Sequence, residues 1–277
     1  MAWRPRAKQP SGPIREEVSV LAKPLDTKFS LLPGALSLSV VRELFRLVFE
    51  KYRWFSPVRY GEAFLDGRLD PNRADLDELL AFYEERQTIT VAARTDRDFV
   101  MVYPSKPGSA HPYAGTLSWT TSTREADKTN WRAAHARQVQ EIMSLLGSPL
   151  AQAGLDEDFA RKTRRWVSAG DGQGQEQAIT VRDSSEGLAG IYWRNFFGAP
   201  FLQLLGDRLE ALPAECRQEL SDELVLVQPY ELPAQAGTPE GDARERQLIS
   251  LLGPECFYDH ERHVKPLKRP GFGSPVH

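Results

Sequence analysis

A chain of 277 residues that is 41% hydrophobic has enough apolar material for one sizeable core. A net charge of −3 with 26% charged residues is an ordinary surface, which excludes the basic profile of a general nucleic-acid binder. The two cysteines, Cys216 and Cys256, make neither a disulfide framework nor a zinc set and fit a reducing compartment. Residues 1–8 are charged but lead into no apolar signal core, and no apolar run reaches the length of a bilayer span. A cytoplasmic protein without a membrane partner is therefore expected.

In chain order, residues 1–15 carry Arg4, Arg6, Lys8 and Arg15 among three prolines and read as a disordered basic arm. Residues 16–260 read as a single α+β domain and 261–277 as a flexible basic tail. Residues 17–22 alternate weakly as a first strand. Pro33-Gly34 is a turn, after which Ser37 caps a strongly apolar helix over 37–52. A strand over 60–65 and turn chemistry at Asp66-Gly67 and Asp70-Pro71-Asn72 precede a helix over 74–85, apolar at Leu76, Leu79, Leu80 and Tyr83. Strands over 88–94, 99–103 and 116–123 form an antiparallel meander.

A helix over 130–146 is closed by Gly147 and Pro149. A second helix, basic on one side through Arg161, Lys162, Arg164 and Arg165, spans 155–167. Strands over 179–182 and 187–197 pair around Asp183-Ser-Ser-Glu. A helix over 200–212, a strand over 224–230, a helix over 243–252 and an edge strand over 256–259 complete the chain. This order is neither βαβ alternation nor all-β. It predicts an α+β fold, a largely antiparallel central sheet with helices packed on its faces.

Chemistry is sparse. Gly170, Gly172 and Gly174 lack the strand and helix that a phosphate loop needs on either side. Cys256, Asp259, His260, Glu261 and His263 have metal-ligand types, but their spacing is loose and unpaired, so solvated polar residues are expected rather than a metal. His135 reads as a surface or boundary residue of its helix. Cys216 has no sequence-local base, and no serine elbow is present. No catalytic residue, cofactor or metal is expected. A hydrolase built from dispersed acidic or Cys/His residues is the alternative, and a structural domain without a site the third.

The most apolar stretch is residues 188–212. Its aromatic run predicts a central strand, with Ile191, Trp193 and Phe197 on one face and Tyr192, Arg194 and Phe196 on the other. Asn195 is expected to hold a turn or bulge before Gly198. The string Tyr192-Trp193-Arg194-Asn195-Phe196-Phe197-Gly198, the meander and the apolar N-terminal helix resemble bacterial polymorphic-toxin immunity proteins, the Immunity protein 52 family in particular. That family accompanies restriction-endonuclease-fold toxins delivered by type VI secretion. The structural motif carrying the resemblance is Tyr192, Trp193, Asn195, Phe197 and Gly198. The resemblance implies a non-enzymatic cytoplasmic inhibitor whose partner is a cognate toxin rather than a nucleic acid. A nuclease cleft is positive because it holds phosphates. The acidic residues Asp70, Asp75, Asp77, Glu78, Glu84 and Glu85 are therefore the expected toxin-binding surface. The sequence is silent on oligomeric state.

Overall fold

The structure is a computed structural model that describes residues 22–70, 75–95, 97–169 and 174–272. The expected basic arm, nearly all of the expected first strand at 17–22, and Gly170 and Gly172 lie outside the described residues.

A ten-stranded sheet, in which every pair of neighbouring strands is antiparallel, organises the fold. Its strands are β1 (Pro24–Ser30), β2 (Arg59–Gly61), β3 (Gly67–Arg68), β4 (Ile89–Ala92), β5 (Phe99–Tyr103), β6 (Thr116–Ser122), β7 (Leu150–Leu155), β10 (Arg194–Phe197), β11 (Arg217–Ser221) and β12 (Leu224–Val227). They lie in the order β11-β12-β10-β7-β1-β6-β5-β4-β2-β3. Strands β8 (Arg164–Ser168) and β9 (Gln175–Ile179) form a separate hairpin. The helices are α1 (Leu38–Phe45), α2 (Leu76–Arg86), α3 (Thr123–Ala126), α4 (Thr129–Leu146), α5 (Asp156–Thr163), α6 (Ala199–Leu205) and α7 (Pro239–Leu252). The α+β reading holds.

The first face of the sheet is covered by α1, α2 and α4. Val41, Leu44 and Phe45 of α1, Leu79 and Tyr83 of α2, and Val139, Ile142 and Met143 of α4 pack on Phe29, Val91, Val100, Val102, Leu117 and Phe196. Ser37 caps α1 by accepting the Val40 N–H at 3.4 Å. The helix then widens into a π-turn over Arg46–Lys51, and Trp54 beyond it stacks on Trp119 at 3.7 Å and 4°. Gly147 ends α4 at φ 61°, and the Ser148 N–H reaches back to the Met143 carbonyl at 2.9 Å, a Schellman closure.

The second face is covered by α5, α6 and α7 over β1, β7, β10 and β12. Phe197, Val225 and Val227 meet Phe201, Leu205, Leu248 and Leu252 there. Thr238 caps α7, with Pro239 as its first residue, so that helix begins four residues before the sequence signal at 243.

Several elements differ from expectation. Strand β7 has the sequence Leu-Ala-Gln-Ala-Gly-Leu, which has low strand propensity. It is a strand because its small residues make room for large neighbours: Ala151 lies opposite Phe196, and Gly154 lies against Tyr192 and Phe159. The helix expected over 155–167 stops at Thr163, whose hydroxyl donates to the Phe159 carbonyl at 2.7 Å, and Arg164 starts β8. Residues 187–193 form no strand pair with 179–182; the partner of β9 is β8. Strand β11 pairs with β12 although it is polar and mostly accessible. Residues 256–259 make only isolated bridges, Leu188 to Phe257 and Asp259 to Val264. Residues 261–272 lie against the body through ion pairs from Lys265 to Glu186 and Lys268 to Glu255, with Phe272 stacked on Tyr113.

Candidate functional site

Of the acidic residues expected to meet a partner, Asp70 follows β3 at one edge of the sheet, and Asp75, Asp77, Glu78, Glu84 and Glu85 lie along α2, whose first turn reaches that edge through Glu78 and Tyr60. Asp70, Asp75, Asp77, Glu78, Glu84 and Glu85 are all exposed. Asp75 caps α2 by accepting the Asp77 N–H at 2.9 Å. Asp77 and Glu78 fall in the first turn of α2, where negative charge complements the helix dipole. Glu84 and Glu85 sit in the last turn, roughly 10 Å further along at 1.5 Å per residue. The set is therefore two acidic ends of one helix, joined by an apolar face buried on the first core.

Some of that charge is already engaged. Asp77 pairs with Arg42 of α1 at 2.8 Å, and both side chains are exposed. Glu78 accepts the Tyr60 hydroxyl at 2.6 Å, which pushes the phenol up to about 12. Glu85 lies 3.1 Å from Arg86. The structure adds what sequence reasoning missed. The β2–β3 loop on the same edge presents exposed Glu62 and Asp66 on either side of Phe64. The Asp66-Gly67 turn was legible, but the outward direction of Phe64 had no sequence signal.

The aromatic motif lies in the interior. Residues 187–198 are all buried, and β10 is third from one edge of the sheet rather than central. The expected alternation fails before the strand begins. Tyr192 faces α5, stacked on Phe159 at 4.2 Å, whereas Trp193 and Arg194 both turn toward α4. Asn195 causes this break. Its Oδ1 accepts the Tyr192 N–H at 3.0 Å, and its Nδ2 donates to the Tyr192 carbonyl at 2.9 Å and the Val227 carbonyl at 3.2 Å. The turn that Asn195 holds thus precedes β10 instead of following it. Gly198 starts α6 and donates to the Pro149 carbonyl at 2.9 Å, where an added Cβ would crowd that oxygen.

His135, expected at the surface, is fully buried. Its Nδ1 accepts from Arg194 Nη1 at 3.0 Å, because a guanidinium can only donate. The ring proton therefore sits on Nε2, which donates to Thr27 Oγ1 at 3.0 Å. Burial, then the Arg194 charge, holds the imidazole well below its usual 6.5. Arg194 also donates to Gln228 Oε1 and the Arg132 carbonyl, and burial beside Arg132 pulls it down to about 10. Trp119, Trp131 and Trp193 surround the imidazole, with ring centroids 4.8–5.6 Å away.

A second polar centre joins α5 to α7. Lys162, read from sequence as part of a basic helix face, is buried between two carboxylates, Asp158 at 2.8 Å and Glu245 at 2.8 Å, and also donates to the Ile191 carbonyl. Tyr230 donates to Glu245 at 2.9 Å. Burial pushes the Glu245 carboxyl up despite the ammonium. Lys162 and Glu245 of this network also line a cleft of about 600 Å³, together with Arg161, Asp242, Tyr258 and His260.

The Cys/His set is not brought together for chemistry. Burial raises the Cys256 thiol, which sits in the second core. His260 is bonded to the Ala189 carbonyl at 2.7 Å, and His263 is exposed at φ 59°. Among the described residues, no three His, Cys, Asp or Glu side chains are grouped to hold a metal ion, and no helix is long and apolar enough to cross a membrane.

The sequence matches no protein-family model and no curated protein. Among solved structures, the fold is similar to that of a chain titled Pseudomonas aeruginosa T6SS protein PA0821, with a TM-score of 0.56 and 13% sequence identity over 88% of this chain and 79% of that one. At this identity the similarity is one of fold, and the chain is an α+β protein with the architecture of that T6SS protein.

Proposed function

We propose that this protein is an immunity-type inhibitor: it binds a secreted nuclease toxin in the cytoplasm and covers the toxin's active site without catalysing a reaction. The observation that carries this reading is the fold shared with a T6SS protein over 88% of the chain. It is supported by the exposed carboxylates of Asp70 and of α2, at Asp75, Asp77, Glu78, Glu84 and Glu85, which are complementary in sign to a phosphate-binding cleft. A charged rim of this kind accelerates encounter more than it strengthens the final complex.

The test is co-expression with the toxin encoded beside its gene, followed by co-purification. Protection together with a stable complex is expected; continued toxicity removes the reading. In that complex, the triple variant Asp75→Lys, Asp77→Lys, Glu78→Lys should slow association about tenfold or more at low salt and flatten its salt dependence. Stopped-flow association rates that do not change would take α2 out of the interface.

A further inference from the structure

We propose that Phe64 is the apolar anchor of the partner complex, seated in an apolar pocket that the toxin surrounds with lysine and arginine side chains. This rests on the inhibitor reading and names the residue around which that interface closes. Phe64 is 79% exposed, more than Trp166 at 64% or Tyr103 at 43%. A single exposed apolar side chain is ordinary. What sets this one apart is the loop that carries it.

The β2–β3 loop is braced at each end. Gly61 passes so close to the Phe64 carbonyl that no Cβ would fit, and Gly67 lies flat against the Tyr60 ring in the same way. The Arg68 guanidinium donates to the carbonyls of Leu65 and Gly67. Tyr60 is itself fixed, edge-on to Phe82 at 5.3 Å and bonded to Glu78. Leu69, just beyond β3, is buried in the first core. Phe64 therefore projects from backbone that is already ordered, and an aromatic ring has few torsions left to freeze on binding.

The surroundings select the partner. Glu62 and Asp66 lie two residues to either side of Phe64 and are exposed, and the acidic first turn of α2 joins the same edge through Tyr60 and Glu78. An aromatic anchor within a charged rim is the anatomy of a binding hot spot. The exposed carboxylates of Glu62, Asp66 and Glu78 outnumber the exposed cation of this loop, Arg68, whose guanidinium is turned onto the loop's own carbonyls. The rim is therefore net negative and calls for a positive surface opposite, which the phosphate-binding cleft of a nuclease supplies.

The experiment titrates the full-length chain into a catalytically inactive form of the toxin encoded beside it, by calorimetry at low and high salt. Phe64→Ala should weaken Kd about 30-fold or more at both salt concentrations, the size expected of a hot-spot truncation. Its thermal unfolding should match the wild type, because the ring is exposed. Phe64→Trp should stay within about threefold of wild type. Glu62→Lys with Asp66→Lys should weaken binding chiefly at low salt. Failure of the wild-type chain to bind removes both the inhibitor reading and this inference. Wild-type binding with Phe64→Ala unchanged overturns the inference alone. Loss on Trp166→Ala with Phe64→Ala unaffected would move the anchor to the β8–β9 hairpin and overturn it. It would also be overturned if sedimentation showed that Phe64→Ala dissociates a homodimer while toxin affinity is kept.

Discussion

His135 is held neutral by its surroundings: three tryptophans around the ring, Thr27 on one nitrogen and the Arg194 guanidinium on the other. The folded protein therefore resists protonating it, while the unfolded chain takes up a proton below its ordinary 6.5. A depressed folded value means that the stability it contributes is present above 6.5 and is lost as pH falls. The slope approaches about 1.4 kcal/mol per pH unit once the unfolded form is protonated. Asp26 and Glu245 are raised by burial and titrate in the opposite sense, so the contrast with a variant is the readout. Urea unfolding of wild type between about pH 7 and 5 should show this loss, and His135→Gln should be flatter over the same range. Parallel curves would mean that the imidazole is not held neutral. The sequence could not show this, because Arg194 and Thr27 come from strands 59 and 108 residues away.

At the scale of elements, α5 and α7 meet through a buried ammonium shared by two carboxylates. Breaking such a group by removing one partner costs more than the group contributes net, because the remaining charges stay buried. Lys162→Met should lower unfolding stability by about 3–5 kcal/mol, and adding Glu245→Gln should recover part of that loss. Denaturant unfolding of the single and double variants measures both. A loss below about 1 kcal/mol would show that the carboxylates reach water or Arg161 instead. The elements most legible in sequence were those whose own residues decide them. These were α1 and α4 with their caps, and the β4–β5–β6 meander with its β-branched and aromatic alternation. Strand β7 was hidden for the opposite reason. Its Ala151, Ala153 and Gly154 have little strand preference of their own and are required by the bulk of Tyr192, Arg194 and Phe196 beside them. The β8 segment reads as helix in sequence because Arg161, Lys162, Arg164 and Arg165 suggest one basic helix side, although only the first two lie on α5.

Across the whole molecule, one sheet carries buried apolar packing on both of its faces. Phe196 and Phe197 are adjacent in sequence, yet the first packs with α4 on one face and the second with α6 and α7 on the other. Coupling through β10 predicts one cooperative unfolding transition. Phe196→Ala and Phe197→Ala should each shift that transition by about 3–5 kcal/mol without splitting it. Thermal unfolding followed by circular dichroism and tryptophan fluorescence checks this, and two separated steps would divide the chain into independent units.

By itself, the sequence determined the α+β class, most helices, the meander and the acidity of the α2 edge, because periodicity, caps and charge are local properties. It also marked the string 192–198 as structural. Only the tertiary structure decided which way that string turns, through Asn195 bonding back to Tyr192. It alone buried His135 and Lys162 among partners remote in sequence, and left Phe64 in water on a braced loop. Exposure and polar pairing depend on what the rest of the chain brings alongside, and a pattern of residue types carries no record of that.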